Sequence, residues 1–179
     1  DNEGKILEKW ALFFEQKCKI DSMSIIVLNN EKVRTEFFEA RHSMPENALS
    51  KMKKLDTFSI ITDAIVPPEN FTKFLEITHK MLQEANIEYL LFGHFGDCHL
   101  HFHLIPERHL QDIAHKIYAK IIDVSAKLGG VYSAEHGTGK HKRNDFIKCY
   151  GQDGVKQIKR SKSALDPHFL LNRGNVFEP

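Results

Sequence analysis

Residues Gly93–Pro106 read GHFGDCHLHFHLIP, which places four of the chain's eleven histidines and one acid in fourteen residues bounded by Gly and Pro. From His99 the residues alternate His, Leu, His, Phe, His, Leu. On an extended strand, successive side chains leave opposite faces, so His99, His101 and His103 share one face and Leu100, Phe102 and Leu104 the other. The pattern predicts a strand with one face for the core and one for chemistry. Residues two apart on a strand lie about 7 Å apart at the backbone, close enough for imidazoles to converge on one ion, and imidazole suits zinc, iron, nickel or copper. The competing reading of the same alternation is a strand with a solvated polar face.

Outward from this stretch, Glu88–Phe92 (EYLLF) reads as the strand that enters the glycine turn, with 99–105 as its partner. Residues 107–128 carry Leu110, Ile113, Ile117, Ile121, Val124 and Leu128 at three- and four-residue intervals, a helix ended by Gly129-Gly130. Upstream, Phe58–Val66 (FSIITDAIV) reads as a strand stopped by Pro67-Pro68, with Asp63 as a strand-edge polar contact. Glu69-Asn70 open a helix with Phe71, Phe74, Leu75, Ile77, Met81 and Leu82 as its apolar residues. Residues 4–18 form an amphipathic helix and Ser24–Leu28 a buried strand; 32–42 fit helix or strand, and Met44-Pro45-Glu46 breaks the run. Val131–Ala134 is short and extended, 144–164 is helical, and the tail after Leu165 is irregular. The order predicts an α+β fold, an antiparallel sheet with helices on one face.

With 179 residues, 41% apolar and 27% charged, the chain has room for one well-buried core, so a single domain over 1–179 is expected. The net charge of +1, with both signs interspersed, gives no global attraction to nucleic acid or to an anionic membrane. Cys18, Cys98 and Cys149 are odd in number and widely spaced, which fits a reducing, cytoplasmic setting. There is no apolar run near the ~18 residues needed to span a bilayer. The opening Asp-Asn-Glu-Gly, without Met, leads to the expectation that the chain is cut from something longer.

A second chemical cluster, Ser133-Ala-Glu135-His136-Gly137, follows the long helix, which returns the chain to the sheet beside its starting strand. Glu135 is thereby placed to complete a site begun by His94 and His101, two imidazoles and a carboxylate with positions left open for a substrate oxygen. Taken together, GHFGDCHLH, SAEHGTGKHK and LDPHFLLNRGNVF, with Arg41 and Asp63-Ala-Ile-Val-Pro67, resemble the C-terminal substrate domain of FAD-linked oxidases. These are the D-lactate, glycolate and D-2-hydroxyglutarate dehydrogenases of the vanillyl-alcohol-oxidase superfamily. The resemblance implies a cap domain with a ferredoxin-like antiparallel sheet lying over the flavin of a separate FAD-binding domain, which this chain lacks.

Carried over residue by residue, the resemblance implies that His94, His101 and Glu135 ligate a divalent metal, zinc in the zinc-dependent members. It makes His136 the catalytic base, Arg41 a clamp on the substrate carboxylate, and Asn172, in the closing Asn-Arg-Gly turn, a contact to the flavin. The implied partners are a small 2-hydroxy acid, the FAD domain and an electron acceptor that the sequence does not identify. The longer enzyme would be cytoplasmic or peripheral at a membrane, and the isolated domain inactive. Relatives usually read Gly-Asn where this chain has Cys98-His99, and often Asn at the place of His103, which makes His99 and His103 candidate extra ligands or polar contacts. The knot Lys140–Arg143 reads as solvated or as a contact to the FAD domain. A rival reading uses His99, His101 and His103 as the His-φ-His-φ-His-φ-φ signature of histidine-triad nucleotide hydrolases. A structural or zinc-buffering domain is the third.

Overall fold

The computed structural model describes residues 2–178. The chain separates into two compact units, Asp1–Asn47 and Ala48–Pro179. In the first, helix α1 (Asn2–Cys18) gathers Trp10, Phe13 and Phe14 in mutual ring contact at 5.7–5.8 Å. A 3₁₀ turn at Ser22–Ser24 follows, its first turn closed by the Asp21 carboxylate accepting from the Met23 N–H. The strand expected at Ser24–Leu28 is not formed: Ile26 and Val27 are 79% and 43% exposed, and a β-branched run without a ladder partner gains nothing from extension.

The ambiguous run 32–42 is helical, part of α2 (Glu31–Lys54). Asn30 caps it, its side-chain oxygen accepting from the Val33 N–H at 3.0 Å. The break expected at Met44-Pro45-Glu46 does not occur, because a proline removes one backbone bond without ending a helix that propagates on both sides of it.

The second unit holds the sheet. Strand β1 (Ile60–Ile61) is shorter than the nine-residue run suggested, β2 spans Tyr89–His94 and β3 His99–Leu104. The order is β1-β3-β2, antiparallel throughout, with Ile61 and Leu90 opposite His103, Phe92 opposite His101 and His94 opposite His99. Beyond β1, isolated bridges join Ile65 to His99 of β3 and to Val131, both antiparallel, and Asp63 to Ser133, parallel. With α3 (Pro68–Glu84) between β1 and β2 and α4 (Gln111–Lys127) before Val131, the succession is βαββαβ, the ferredoxin-like order with the fourth strand reduced to bridges.

The helices cover one face, as expected. Phe71, Phe74 and Leu82 from α3, Ala114, Ile117, Ile121 and Ile122 from α4, and Phe146 and Val155 from α5 (Arg143–Leu165) share a core with Leu100, Phe102 and Leu104. Within α4 the buried face is rotated from the predicted stripe, since Ile113 is exposed and Ala114 and Ile122 are fully buried. In α5 the chain kinks at Gly151, whose φ of 65° and ψ of −177° interrupt the helix. Among the described residues no helix is long and apolar enough to cross a membrane.

Candidate functional site

The face of β3 opposite the helices carries His99, His101 and His103, each only 4–5% exposed. Two further segments close on this face: the chain just past β1, with Thr62 and Asp63, and the loop Ser133–Gly137 after α4. The positions that the sequence singled out for metal do meet. His101 Nε2 lies 2.9 Å from one oxygen of Glu135 and His94 Nε2 3.7 Å from the other. His94 reaches this point from the end of β2, just before the turn Phe95–Asp97, after which Cys98 takes a left-handed conformation with φ 55°.

The His101 ring is held at both nitrogens. Its Nδ1 faces the Thr62 carbonyl at 3.0 Å and its Nε2 faces the Glu135 carboxylate at 2.9 Å. Both neighbours only accept hydrogen bonds, whereas a neutral imidazole carries a single N–H. With that N–H on Nδ1, donating to the Thr62 carbonyl, the Nε2 lone pair points at an anion, an arrangement satisfied by a second ring proton or by a cation between the two groups. The donor chemistry therefore fits a divalent metal. The residues Asp63, His99, His101 and Glu135 each offer a ligand atom, all within 4.8 Å of one another.

His136 stacks on His101, ring centres 4.9 Å apart and planes 8° from parallel. Its Nδ1 is 3.8 Å from Asp63 Oδ2 and its Nε2 3.7 Å from Glu135 Oε1, and its side chain remains 41% exposed. It thus stands between two carboxylates with an open side. His103 differs: neither ring nitrogen has a partner, and burial, followed by the charge of His101, pushes its pKa down, which keeps it neutral.

Asp63 was expected to be an edge contact and is instead the most connected group of the site. It is fully buried. Its Oδ1 accepts from His99 Nε2 at 3.0 Å, while Oδ2 accepts from the Ser133 hydroxyl and from the backbone N–H of His136 at 2.8 Å and Glu135 at 3.3 Å. Burial raises its pKa, but Ser133, the His136 amide and the charges of His136 and Lys142 outweigh it and hold the carboxyl at about 2. Lys142, in the knot read as solvated or as a contact to the FAD domain, turns inward, with Nζ 3.6 Å from Asp63 Oδ2 and 3.4 Å from Ser133 Oγ. A lone acid in an otherwise apolar run was the available signal for Asp63; nothing local marked Lys142 or Ser133 as its partners.

Two predicted positions remain. Arg41 is exposed on α2, in the first unit. Asn172 is exposed in the tail with φ 43°, and its turn is tied to the Glu-His-Gly-Thr-Gly loop by the Val176 N–H donating to the Gly139 carbonyl at 2.8 Å.

Residues 2–176 match the family model described as "FAD linked oxidases, C-terminal domain". The chain is 28% identical to glycolate oxidase subunit GlcD of Bacillus subtilis (strain 168), over 99% of this chain and 38% of that protein. It is 27% identical to a D-lactate dehydrogenase of Archaeoglobus fulgidus, over 65% of this chain and 26% of that protein. The chain thus spans well under half the length of these curated relatives. Among solved structures, 4-ethylphenol oxidase from Gulosibacter chungangensis aligns with a TM-score of 0.43 and 20% identity, over 67% of this chain and 24% of that one.

Proposed function

The chain belongs to the family of FAD linked oxidase C-terminal domains, and from that membership we propose that it is the substrate- and metal-binding domain of a longer FAD-dependent enzyme that oxidises a D-2-hydroxy acid such as D-lactate or glycolate. The observation that carries the metal reading is the His101 ring caught between two acceptors, with His94 on the second oxygen of the same carboxylate. His94, His101 and Glu135 are the residues that would hold the metal. When bound, a divalent cation such as Zn²⁺ supplies charge that makes a neighbouring hydroxyl more acidic, and the flavin, held by a domain outside this chain, supplies the hydride acceptor.

The chain's own residues do the rest. His136 accepts the hydroxyl proton; its open side admits substrate, and the carboxylates of Asp63 and Glu135, 3.7–3.8 Å from its ring nitrogens, stabilise the imidazolium that forms. Arg41 clamps the acid's carboxylate through its planar fork. Asn172, an exposed amide in a turn tied to the Gly139 loop, contacts the flavin. The family match gives no support to the histidine-triad nucleotide hydrolase reading, and the burial of His99, His101 and His103 leaves little access for attack on a phosphate.

The test is turnover of D-lactate and glycolate by the full-length enzyme carrying His136→Ala. The expected result is a fall in kcat of about 10²–10⁴-fold with metal retained. Near-normal turnover of either acid removes His136 as the base.

A further inference from the structure

Asp63 belongs to the four-donor group by distance, yet its lone pairs are taken. A carboxylate offers about four acceptor positions. Here they receive His99 Nε2–H, the Ser133 hydroxyl and the N–H groups of Glu135 and His136, with the Lys142 ammonium alongside. The residue before it is engaged in the same way: the Thr62 carbonyl holds His101 Nδ1, and its hydroxyl accepts from the Phe102 N–H at 3.0 Å. Two consecutive residues therefore fasten β3 on one side and the Ser133–Gly137 loop on the other.

We propose that Asp63 is a positioning residue: it locks the loop that carries Glu135 and His136 to the histidine face of β3, fixing the spacing of Glu135 to His101 without being a ligand itself. The proposal rests on the reading of His94, His101 and Glu135 as the metal holders. The loop supplies both Glu135 and His136, and among the described residues no other buried side chain accepts from both of their backbone N–H groups. Strand β3 supplies His101. One fully buried anion bridges the two, with the Lys142 ammonium beside it. Second-sphere partners of this type orient the ligands they touch, and their loss typically costs about 10–100-fold in metal affinity.

An Asp63→Asn variant cannot serve both sides. If its amide nitrogen faces His99, the ring must change from the Nε2–H to the Nδ1–H tautomer; if its oxygen faces His99, the amide donors meet the N–H groups of the loop. The experiment uses the full-length protein, metal-free and then titrated with zinc alone. Hydrogen exchange is followed over residues 133–137, and ¹⁵N-histidine spectra report the His99 tautomer.

For Asp63→Asn we expect exchange at the Glu135 and His136 amides to rise at least ~10-fold, the His99 tautomer signal to move or broaden, and zinc affinity to fall about 10–100-fold. Ser133→Ala, which leaves the carboxylate in place, should give the same changes in smaller measure, and it decides the matter if Asp63→Asn does not fold. Zinc loss with unchanged loop exchange would make Asp63 a ligand and overturn the proposal, as would unchanged exchange and affinity in both variants. The exchange and tautomer readouts need no metal. If they change as expected while wild type takes up no zinc, the metal reading fails and the positioning role stands.

Discussion

Gly130→Ala probes the joint on which the site rests. Gly130 lies between the end of α4 and Val131, and a Cβ built on it would sit 2.2 Å from the Ile65 carbonyl oxygen, 2.7 Å from Ser125 Oγ and 2.8 Å from Val66 Cγ1. Real contacts begin near 3.0–3.4 Å, so the Ile65 backbone must retreat by about 1 Å. Side-chain rotation relieves Ser125 and Val66 but not a carbonyl. The retreat strains the paired hydrogen bonds between Ile65 and Val131, at 3.1 and 2.9 Å, and Ile65 is two residues from Asp63. Overpacking costs about 1–3 kcal/mol and each weakened bond up to ~1 kcal/mol, so a destabilisation of about 3 kcal/mol is expected, a large share of the ~5–15 kcal/mol of a typical domain. Urea unfolding measures it as a lower midpoint at unchanged slope. A variant within ~0.5 kcal/mol of wild type would refute the reasoning, since it would mean that the Ile65–Val131 pairing is loose enough to absorb a methyl group.

Asp145 gives a pH prediction. Burial raises its carboxyl pKa above the ordinary 3.8, even though the Tyr118 hydroxyl donates to it at 2.9 Å and Lys148 and Lys142 lie near. A group whose folded pKa is raised adds stability that is present below 3.8 and lost as the pH climbs through the folded value, so Asp145→Asn should flatten that part of the stability curve in pH-dependent thermal melts. Arg41→Ala in the full-length enzyme should raise KM for the hydroxy acid by about 10–150-fold, the worth of hydrogen bonds to a charged group, with kcat changed far less; steady-state kinetics on D-lactate and glycolate check it.

The centre of the fold was legible because its signals are local. Alternation at His99–Leu104 and the glycine turn before it define a hairpin, and the apolar spacings of α3 and α4 define two helices, none of which needs knowledge of distant partners. The same locality explains the errors. Ser24–Leu28 has the composition of a strand, but strand formation depends on a neighbour that the window does not contain, and Pro45 marks a missing hydrogen bond without telling whether the flanking turns bridge it. At the site, His94, His101, Glu135 and His136 could be singled out as candidates because each belongs to a compact motif, and the three imidazoles lie within 4 Å of the Glu135 carboxylate. Asp63 is bound to Ser133 and Lys142 across 70 and 79 residues of chain. Their chemistry exists only after the Ile65–Val131 and Asp63–Ser133 bridges have formed, so an acid in a strand and a lysine in a basic knot gave the wrong neighbours.

The central claim is that His94, His101 and Glu135 hold a divalent metal. Its most direct test is elemental analysis of the chelator-stripped protein after zinc is added back and excess removed, with wild type beside His101→Ala. The account predicts about one equivalent of zinc in wild type and a loss of most of it in the variant, with uptake by wild type weakening as the pH falls through the histidine range near 6.5, because the ligands must be deprotonated. Equal zinc in the two proteins, or none in wild type after the metal is restored, would contradict it.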